Sequence, residues 1–226
     1  MDRLNIFHLL LTNLIFILVN SHVQHLAQAE TPKHVTCGSV IKLANMDKPK
    51  VRLHSHDIKY GSGSGQQSVT AVENQDTNSY WSVMGPVTGH CTRGQAIECG
   101  AIVRLQHSQT RKFLHSHHFK SPVSAEQEVS AFGADNDSDT GDHWSVHCSG
   151  KLWLTNEGVK LKHVDTETWL SLSGNKYGRP IYGHLEVIAS SYPESSSFWK
   201  TAEGVFVSPT VTMNPSASSS DLHDEL

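Results

Sequence analysis

Leu53-His54-Ser55-His56 is repeated letter for letter as Leu114-His115-Ser116-His117. The segments that follow it repeat as well, so that Trp81-Ser82-Val83 corresponds to Trp144-Ser145-Val146. Self-similarity at a regular spacing indicates a fold built from copies of one structural unit, each of which buries its apolar face against its neighbours. The sequence therefore predicts a repeat protein.

A third, weaker copy preserves the order of these segments. Its parts are Val159-Lys160-Leu161, Trp169-Leu170-Ser171-Leu172-Ser173, Leu185-Glu186-Val187 and Phe198-Trp199-Lys200. Each copy contains four short runs that alternate apolar and polar residues, which is typical of half-buried strands. Glycine-rich stretches at 61–65, 133–141 and 174–180 separate runs and have turn chemistry.

Three units of four strands predict an all-β domain of about twelve strands. A β-propeller typically has four or more blades. Three copies therefore favour a closed pseudo-threefold β-trefoil. One tryptophan recurs per unit, at Trp81, Trp144 and Trp199, and we expect these side chains in the core.

The two ends of the chain predict its location. An apolar run follows Arg3, and Ala27-Gln28-Ala29 has the small-residue pattern of a cleavage site, so residues 1–29 are predicted to be a signal peptide. The tetrapeptide His223-Asp224-Glu225-Leu226 is a retrieval signal of the endoplasmic reticulum, read by a retrieval receptor. We therefore expect a resident of the endoplasmic reticulum lumen.

The remaining chain divides into one domain and a tail. Residues 30–207 form the predicted trefoil, with repeats at about 34–90, 91–150 and 151–207. Residues 208–226 are rich in serine and proline, as flexible segments are. The net charge is −4 and lysines and arginines do not cluster, which argues against nucleic acid and membrane partners.

Four cysteines allow three disulfide pairings. Cys37 and Cys99 open the first two repeats at equivalent positions, and Cys91 and Cys148 close them. Pairing within each repeat, Cys37 with Cys91 and Cys99 with Cys148, is the favoured arrangement. The spacings do not match a redox motif, so we expect the cysteines to be structural.

The repeated segments carry a family resemblance. Residues 53–56 followed by 60–70, and 114–119 followed by 127–133, resemble the stromal cell-derived factor 2 family. The resemblance implies three MIR repeats in a β-trefoil, and a luminal role in protein quality control without catalysis or cofactor. It also implies work beside a luminal J-domain co-chaperone and the luminal Hsp70, limiting aggregation of misfolded clients. The third copy departs from the pattern, because Ser171 and Ser173 replace its histidines.

The chain has 16 histidines, and the His-x-His spacing places both rings of a pair on one strand face. Such pairs can chelate zinc. No cysteine or carboxylate stands at ligand spacing from either pair in the sequence, so we expect the histidines to pack and hydrogen-bond, with no metal.

Catalysis is not expected either. The acidic stretch from Asp135 to Asp139, with Asp142, is interpreted as a solvated loop, and no Gly-x-Ser-x-Gly elbow is present. Asn136-Asp137-Ser138 matches the N-glycosylation sequon.

Two binding hypotheses remain. In the first, a chaperone accessory contacts clients through exposed aromatic side chains, of which Tyr60, Phe119, Tyr177 and Tyr182 are candidates. In the second, a lectin-like domain binds O-mannosylated or N-glycosylated proteins through polar clusters beside aromatic rings. The candidate ligand or partner surface combines the following residues: His54, His56, Tyr60, Gln66, Gln67, His115, His117, His118, Phe119 and Gln127.

Overall fold

The computed structural model describes residues 34–74, 76–135 and 137–208. The regular secondary structure of this part of the chain is almost entirely β-strand. The strands are β1 (Val40–Asn45), β2 (Arg52–Lys59), β3 (Gln67–Val72), β4 (Trp81–Met84), β5 (Ile102–His107), β6 (Phe113–Lys120), β7 (Gln127–Phe132), β8 (Trp144–His147), β9 (Gly158–His163), β10 (Trp169–Lys176), β11 (Leu185–Ser190) and β12 (Trp199–Val205).

Three short 3-10 helices complete the units. They are η1 (Thr77–Ser79), η2 (Thr140–Asp142) and η3 (Ser195–Ser197), and each precedes the last strand of its repeat. No helix in the described ranges is long and apolar enough to cross a membrane. The predicted signal peptide, the sequon residue Asn136, and residues 209–226 with the retrieval signal lie outside the described residues.

Six strands form a closed barrel. The first and last strands of each repeat pair in the order β1, β12, β9, β8, β5 and β4, and β4 returns to β1, with antiparallel pairing throughout. Closure leaves no unpaired strand edge within this ring. The middle strands of each repeat form the hairpins β2–β3, β6–β7 and β10–β11.

The three hairpins close one end of the barrel with threefold register. The second strands of the hairpins, β3, β7 and β11, also pair with one another. The start of β3 pairs with the end of β7, the start of β7 with the end of β11, and the start of β11 with the end of β3. Examples are Ser68 with Ser130, Glu128 with Ile188, and Glu186 with Thr70. A six-stranded barrel capped by three cyclically paired hairpins is a β-trefoil. The fold class expected from the repeats is therefore confirmed.

The repeated tryptophans occupy the core, as expected. Trp81, Trp144 and Trp199 are each fully buried. Their indole N–H groups donate to the backbone carbonyl oxygens of Leu53, Leu114 and Leu170 at 3.1, 2.9 and 2.9 Å. Each ring therefore ties the barrel strand of its repeat to the hairpin strand that carries the His-Ser-His or Ser-Leu-Ser stretch.

The structure pairs Cys37 with Cys91 and Cys99 with Cys148, at Cα–Cα distances of 5.8 and 5.5 Å. Each disulfide joins the start of a repeat to its end, across sequence separations of 54 and 49 residues. Bonds that close loops of this length restrict the unfolded chain and so favour the folded state. In the described part of the third repeat no cysteine is present.

Candidate functional site

The same tertiary contact occurs once per repeat with a different chemistry each time. The third residue of β2, β6 and β10 meets the last residue of the 3-10 helix in its own repeat. His54 contacts Ser79, His115 contacts Asp142, and Ser171 contacts Ser197. The pseudo-threefold fold thus presents three equivalent polar pairs, of which two contain a histidine.

In the second repeat the partner of the histidine is a buried carboxylate. His115 Nδ1 lies 2.9 Å from Asp142 Oδ1, and Asp142 Oδ2 accepts a hydrogen bond from Ser138 Oγ at 2.6 Å. Asp142 is fully buried and forms a capping box with Asp139 around η2. The interpretation of the whole acidic stretch as a solvated loop is therefore wrong for Asp142, which the closing turn of η2 carries into the interior.

In the first repeat the histidine lies in a cluster. His54 Nδ1 is 3.3 Å from Ser79 Oγ and 3.5 Å from Asp76 Oδ1. The rings of His54, His56 and His184 are mutual neighbours, with centroid separations of 5.2, 5.5 and 5.4 Å. His184 precedes β11 in the third repeat, so the cluster joins the first repeat to the third.

The environment of this cluster favours neutral imidazoles. Burial is the main cause that lowers the pKa of His54 to about 4. The charge of Asp76 opposes this shift, and His56, His184 and His107 add smaller contributions that lower the pKa. Burial also lowers the pKa values of His56 and His184, against the charge of Asp76. At neutral pH these rings therefore offer free lone pairs.

Two groups of side chains could hold a metal ion. Within residues 34–74, 76–135 and 137–208, two sets bring three potential ligand atoms to within 4.8 Å of one another. They are His54, His56 and His184, and His115, Asp139 and Asp142. Sequence reasoning found the histidine pairs but missed His184, because the equivalent positions in the other repeats are Gln66 and Glu126 and no periodic pattern marks it.

Two buried glutamates anchor the hairpin loops, and sequence reasoning did not single them out. Glu128 accepts hydrogen bonds from the backbone N–H and the hydroxyl of Ser64. Glu186 accepts from the hydroxyls of Ser121 and Ser173 and from the N–H groups of the second hairpin loop. Burial acts to raise the pKa of Glu186, but these hydrogen bonds outweigh it and lower the pKa.

The candidate ligand surface does not form one exposed patch. His118 and Phe119 are exposed, while His56, Gln66, His117 and Gln127 are half-buried. The remaining members are buried: His54, Tyr60, Gln67 and His115. The prediction that these four belong to an accessible surface is wrong. His54 and His115 lie in the buried first halves of β2 and β6, Gln67 lies in the buried strand β3, and Tyr60 packs against Tyr177 and Ile181.

The two repeated glutamines join adjacent units. Gln67 Nε2 donates to Ser55 Oγ and to Thr110 Oγ1 in the second repeat, at 2.8 and 2.9 Å. Gln127 Nε2 makes the equivalent bonds, to Ser116 Oγ and to Thr166 Oγ1 in the third repeat. The side-chain amides of Gln67 and Gln127 therefore have their hydrogen-bond partners within the domain.

The predicted client-binding aromatics divide into two classes. Tyr60 and Tyr177 are buried with Ile181, and the Tyr60 hydroxyl donates to the carbonyl oxygens of Val69 and Val129. Their assignment as exposed is wrong, because the first and third hairpin loops place both rings over the buried end of the barrel. Phe119 and Tyr182 are exposed, with 50% and 80% of their surface accessible.

With this geometry established, comparison with known proteins defines the class and then the family. A family model described as MIR domain matches residues 50–190, so the molecule is a MIR-domain β-trefoil. The chain is 52% identical to human stromal cell-derived factor 2-like protein 1 over 193 residues, which cover 85% of this chain and 84% of that protein. The chain belongs to the stromal cell-derived factor 2 family.

Solved structures agree with this placement. The crystal structure of the SDF2-like protein from Arabidopsis thaliana matches with a TM-score of 0.75 and 46% identity, over 78% of this chain and 99% of that one. The S. cerevisiae protein O-mannosyltransferase Pmt1-Pmt2 complex bound to the sugar donor matches with a TM-score of 0.69 and 28% identity. That match covers 80% of this chain but 27% of the transferase chain.

Proposed function

We propose that this protein is a non-enzymatic resident of the endoplasmic reticulum lumen that assists protein folding, as an accessory of a J-domain protein and the luminal Hsp70. The observation that carries the proposal is the membership of the stromal cell-derived factor 2 family across most of the chain. The two disulfides suit an oxidising secretory compartment. The predicted signal peptide and the predicted retrieval tetrapeptide support a location in the endoplasmic reticulum lumen.

The described polar groups support a role without catalysis. The best acid–base pair, His115 with Asp142, is enclosed by the fold, and Ser138 and the N–H of Asp139 occupy the second carboxylate oxygen. A catalytic pair must be reachable by its substrate. The hydrogen bonds of this pair are instead made within the domain, where they hold η2 against β6.

Client or partner contact is assigned to the exposed hairpin tips. In β2, β6 and β10 the first four residues are mainly buried, whereas the last four include the exposed or half-buried positions. Phe119 lies on such a tip, and Tyr182 lies in the loop between β10 and β11. Exposed aromatic rings contribute strongly to binding because they bury a large area with few rotatable bonds.

The test is a pull-down of luminal proteins by the purified chain, read by mass spectrometry. We expect recovery of the J-domain protein and Hsp70, with reduced recovery for the double variant Phe119→Ser and Tyr182→Ser. The variant Tyr192→Ser is the matched control, because Tyr192 is 78% exposed but lies outside both tips. Equal recovery by all three proteins would remove the hairpin tips from the partner surface, and no recovery of either chaperone would overturn the proposal.

A lectin-like role is the second candidate. It is supported by the structural likeness to the O-mannosyltransferase, which in its solved complex binds a sugar donor. A pull-down repeated with competing mannose oligosaccharide separates the two functions. Capture of glycoproteins that the sugar abolishes would replace the chaperone role, and the exposed His118 is the first of the predicted sugar contacts to replace by alanine.

A further inference from the structure

Three imidazoles from two repeats converge at one point beside the hairpin cap. His54 and His56 lie on one face of β2, and His184 reaches them from the turn before β11. We propose that His54, His56 and His184 form a binding site for a divalent transition-metal ion of the zinc type. Imidazole nitrogen is a preferred ligand of Zn²⁺, and three protein ligands with one open position are a recurrent arrangement.

The hydrogen bonds of the cluster identify the ligand atoms. Nδ1 of His54 faces Ser79 Oγ, and Nδ1 of His184 is 3.0 Å from Thr70 Oγ1. These contacts leave Nε2 of both rings for a ligand. His56 Nδ1 is buried without a hydrogen-bond partner. A buried polar atom of this kind costs free energy unless it is satisfied, and a metal ion would satisfy it.

Binding of a zinc ion would require the ring nitrogens of the three histidines to move slightly closer together. One ring nitrogen from each of the three histidines lies within 4.8 Å of those of the other two, whereas tetrahedral zinc with Zn–N bonds of about 2.0–2.1 Å places its nitrogens about 3.3 Å apart. Rotation of the half-buried rings of His56 and His184 supplies this movement, since the backbone of β2 already holds His54 and His56 on the same face.

Charge and protonation suit a cation. Metal ligands must be deprotonated, and burial lowers the pKa values of all three rings, that of His54 to about 4. Asp76 Oδ1 lies 3.5 Å from His54 Nδ1 and brings a negative charge. A carboxylate next to a ligating imidazole orients the ring and raises its basicity, so Asp76 is assigned as the positioning residue.

The second cluster lacks these properties. His115 Nδ1 is already 2.9 Å from Asp142 Oδ1, and the other oxygen of Asp142 is bonded to Ser138. These groups satisfy one another without an ion. The position that His184 takes relative to the first hairpin is taken relative to the second hairpin by Gln66, whose Oε1 accepts from Ser130 Oγ as His184 pairs with Thr70. The prediction that the chain holds no metal is thus replaced for the first repeat alone, where the third ligand comes from a distant part of the chain.

The consequence is a link between the first and third repeats. Disulfides join the ends of repeats one and two, whereas His184 belongs to the third. A metal bound by β2 and by the turn before β11 would tie the third hairpin to the first. Binding to the folded state alone would raise its stability in proportion to the logarithm of ion concentration.

The test is isothermal titration calorimetry of the chelator-treated chain with Zn²⁺. We expect one ion per chain and at least a tenfold loss of affinity in His184→Gln. Glutamine is chosen because Gln66 occupies the equivalent position and its Oε1 accepts from Ser130 Oγ at 2.5 Å, as His184 pairs with Thr70. The variant should therefore keep its fold, and thermal unfolding with chelator present checks this.

The control is His118→Ala, which removes an exposed imidazole outside both clusters. It should bind Zn²⁺ as the unaltered chain does, and Zn²⁺ should raise its melting temperature equally. The proposal is overturned if the unaltered chain binds no Zn²⁺, if folded His184→Gln binds it with unchanged affinity, or if Asp142→Asn abolishes binding while His184→Gln does not.

Discussion

The carboxylate of Glu186 accepts a hydrogen bond from the backbone N–H of Ser124 at 3.0 Å, across the boundary between the third and second repeats. Glu128 makes the equivalent bond to the N–H of Ser64 at 3.2 Å, between the second repeat and the first. Both carboxylates are fully buried. The first and second hairpin loops are therefore each closed by a side chain from the next repeat, and both loops depend on the assembled trefoil.

Replacement of Glu186 by glutamine should destabilise the domain. The amide would turn an N–H₂ group toward donors that now meet a carboxylate oxygen, so we expect a loss of about 1–3 kcal/mol in the free energy of unfolding. Urea denaturation measures it, with Glu126→Gln, an exposed neighbour of the same loop, as the control. Equal stability of the two variants would show that the anchoring bond contributes nothing.

The same carboxylate makes part of the stability pH-dependent. Because the hydrogen bonds lower the pKa of Glu186 below its ordinary 4.5, its contribution is full above that value and is lost as the pH falls below it. The difference in stability between the unaltered chain and Glu186→Gln should thus narrow in acid. A difference that stays constant from pH 7 to pH 3 would contradict this assignment.

The truncation of Trp199 to alanine should cost about 3–5 kcal/mol. The side chain is fully buried and its indole N–H is the only tryptophan donor to Leu170 among the described contacts. Its repeat has no disulfide within the described residues, so the loss is expected to unfold that repeat first. Calorimetric unfolding measures the loss, and Phe198→Ala, at a partly exposed neighbour, should be several-fold milder.

His54 should make the domain less stable in mild acid. Its pKa is lowered from 6.5 to about 4 in the folded state, chiefly by burial. Between these values the unfolded chain binds a proton that the folded chain does not, so stability decreases as the pH falls. From pH 7.5 to pH 5 this group accounts for about 2 kcal/mol.

The measurement is urea denaturation at both pH values with a chelator present. His54→Ser introduces the residue that stands at the equivalent position in the third repeat, Ser171. We expect the acid-induced loss of stability to be smaller in this variant by about 2 kcal/mol, and unchanged in His118→Ser. An identical acid-induced loss in all three proteins would refute the assignment to His54.

Deletion of residues 223–226 should cause the protein to be secreted. The tetrapeptide His223-Asp224-Glu225-Leu226 is the predicted retrieval signal. In transfected cells we expect most of the truncated chain in the medium and the unaltered chain inside. Deletion of 217–220, an equally long piece of the same tail, is the control, and retention of both truncated chains would mean that another feature holds the protein.

The fold could be predicted from sequence to a large extent, because its determinants are local and repeated. Period-two alternation marks strands wherever one face is buried, and a tryptophan in each repeat marks the core. The family resemblance rests on the same contiguous stretches. The roles of residues that contact a neighbouring repeat were harder to predict from the sequence. Tyr60 resembles a surface aromatic residue of a loop, but its hydroxyl hydrogen-bonds to the carbonyl oxygens of Val69 and Val129 inside the hairpin cap.

The sequence by itself determined the number of repeats, their strands, the core tryptophans and the family, since each of these follows from adjacent residues and their recurrence. Only the tertiary structure decided which polar residues meet. His184 joins His54 and His56 because cyclic pairing of β3, β7 and β11 brings the start of β11 against the end of β3. The third repeat has no histidine pair of its own in the strand equivalent to β2, and His184, one of its two histidines, completes the cluster of the first repeat.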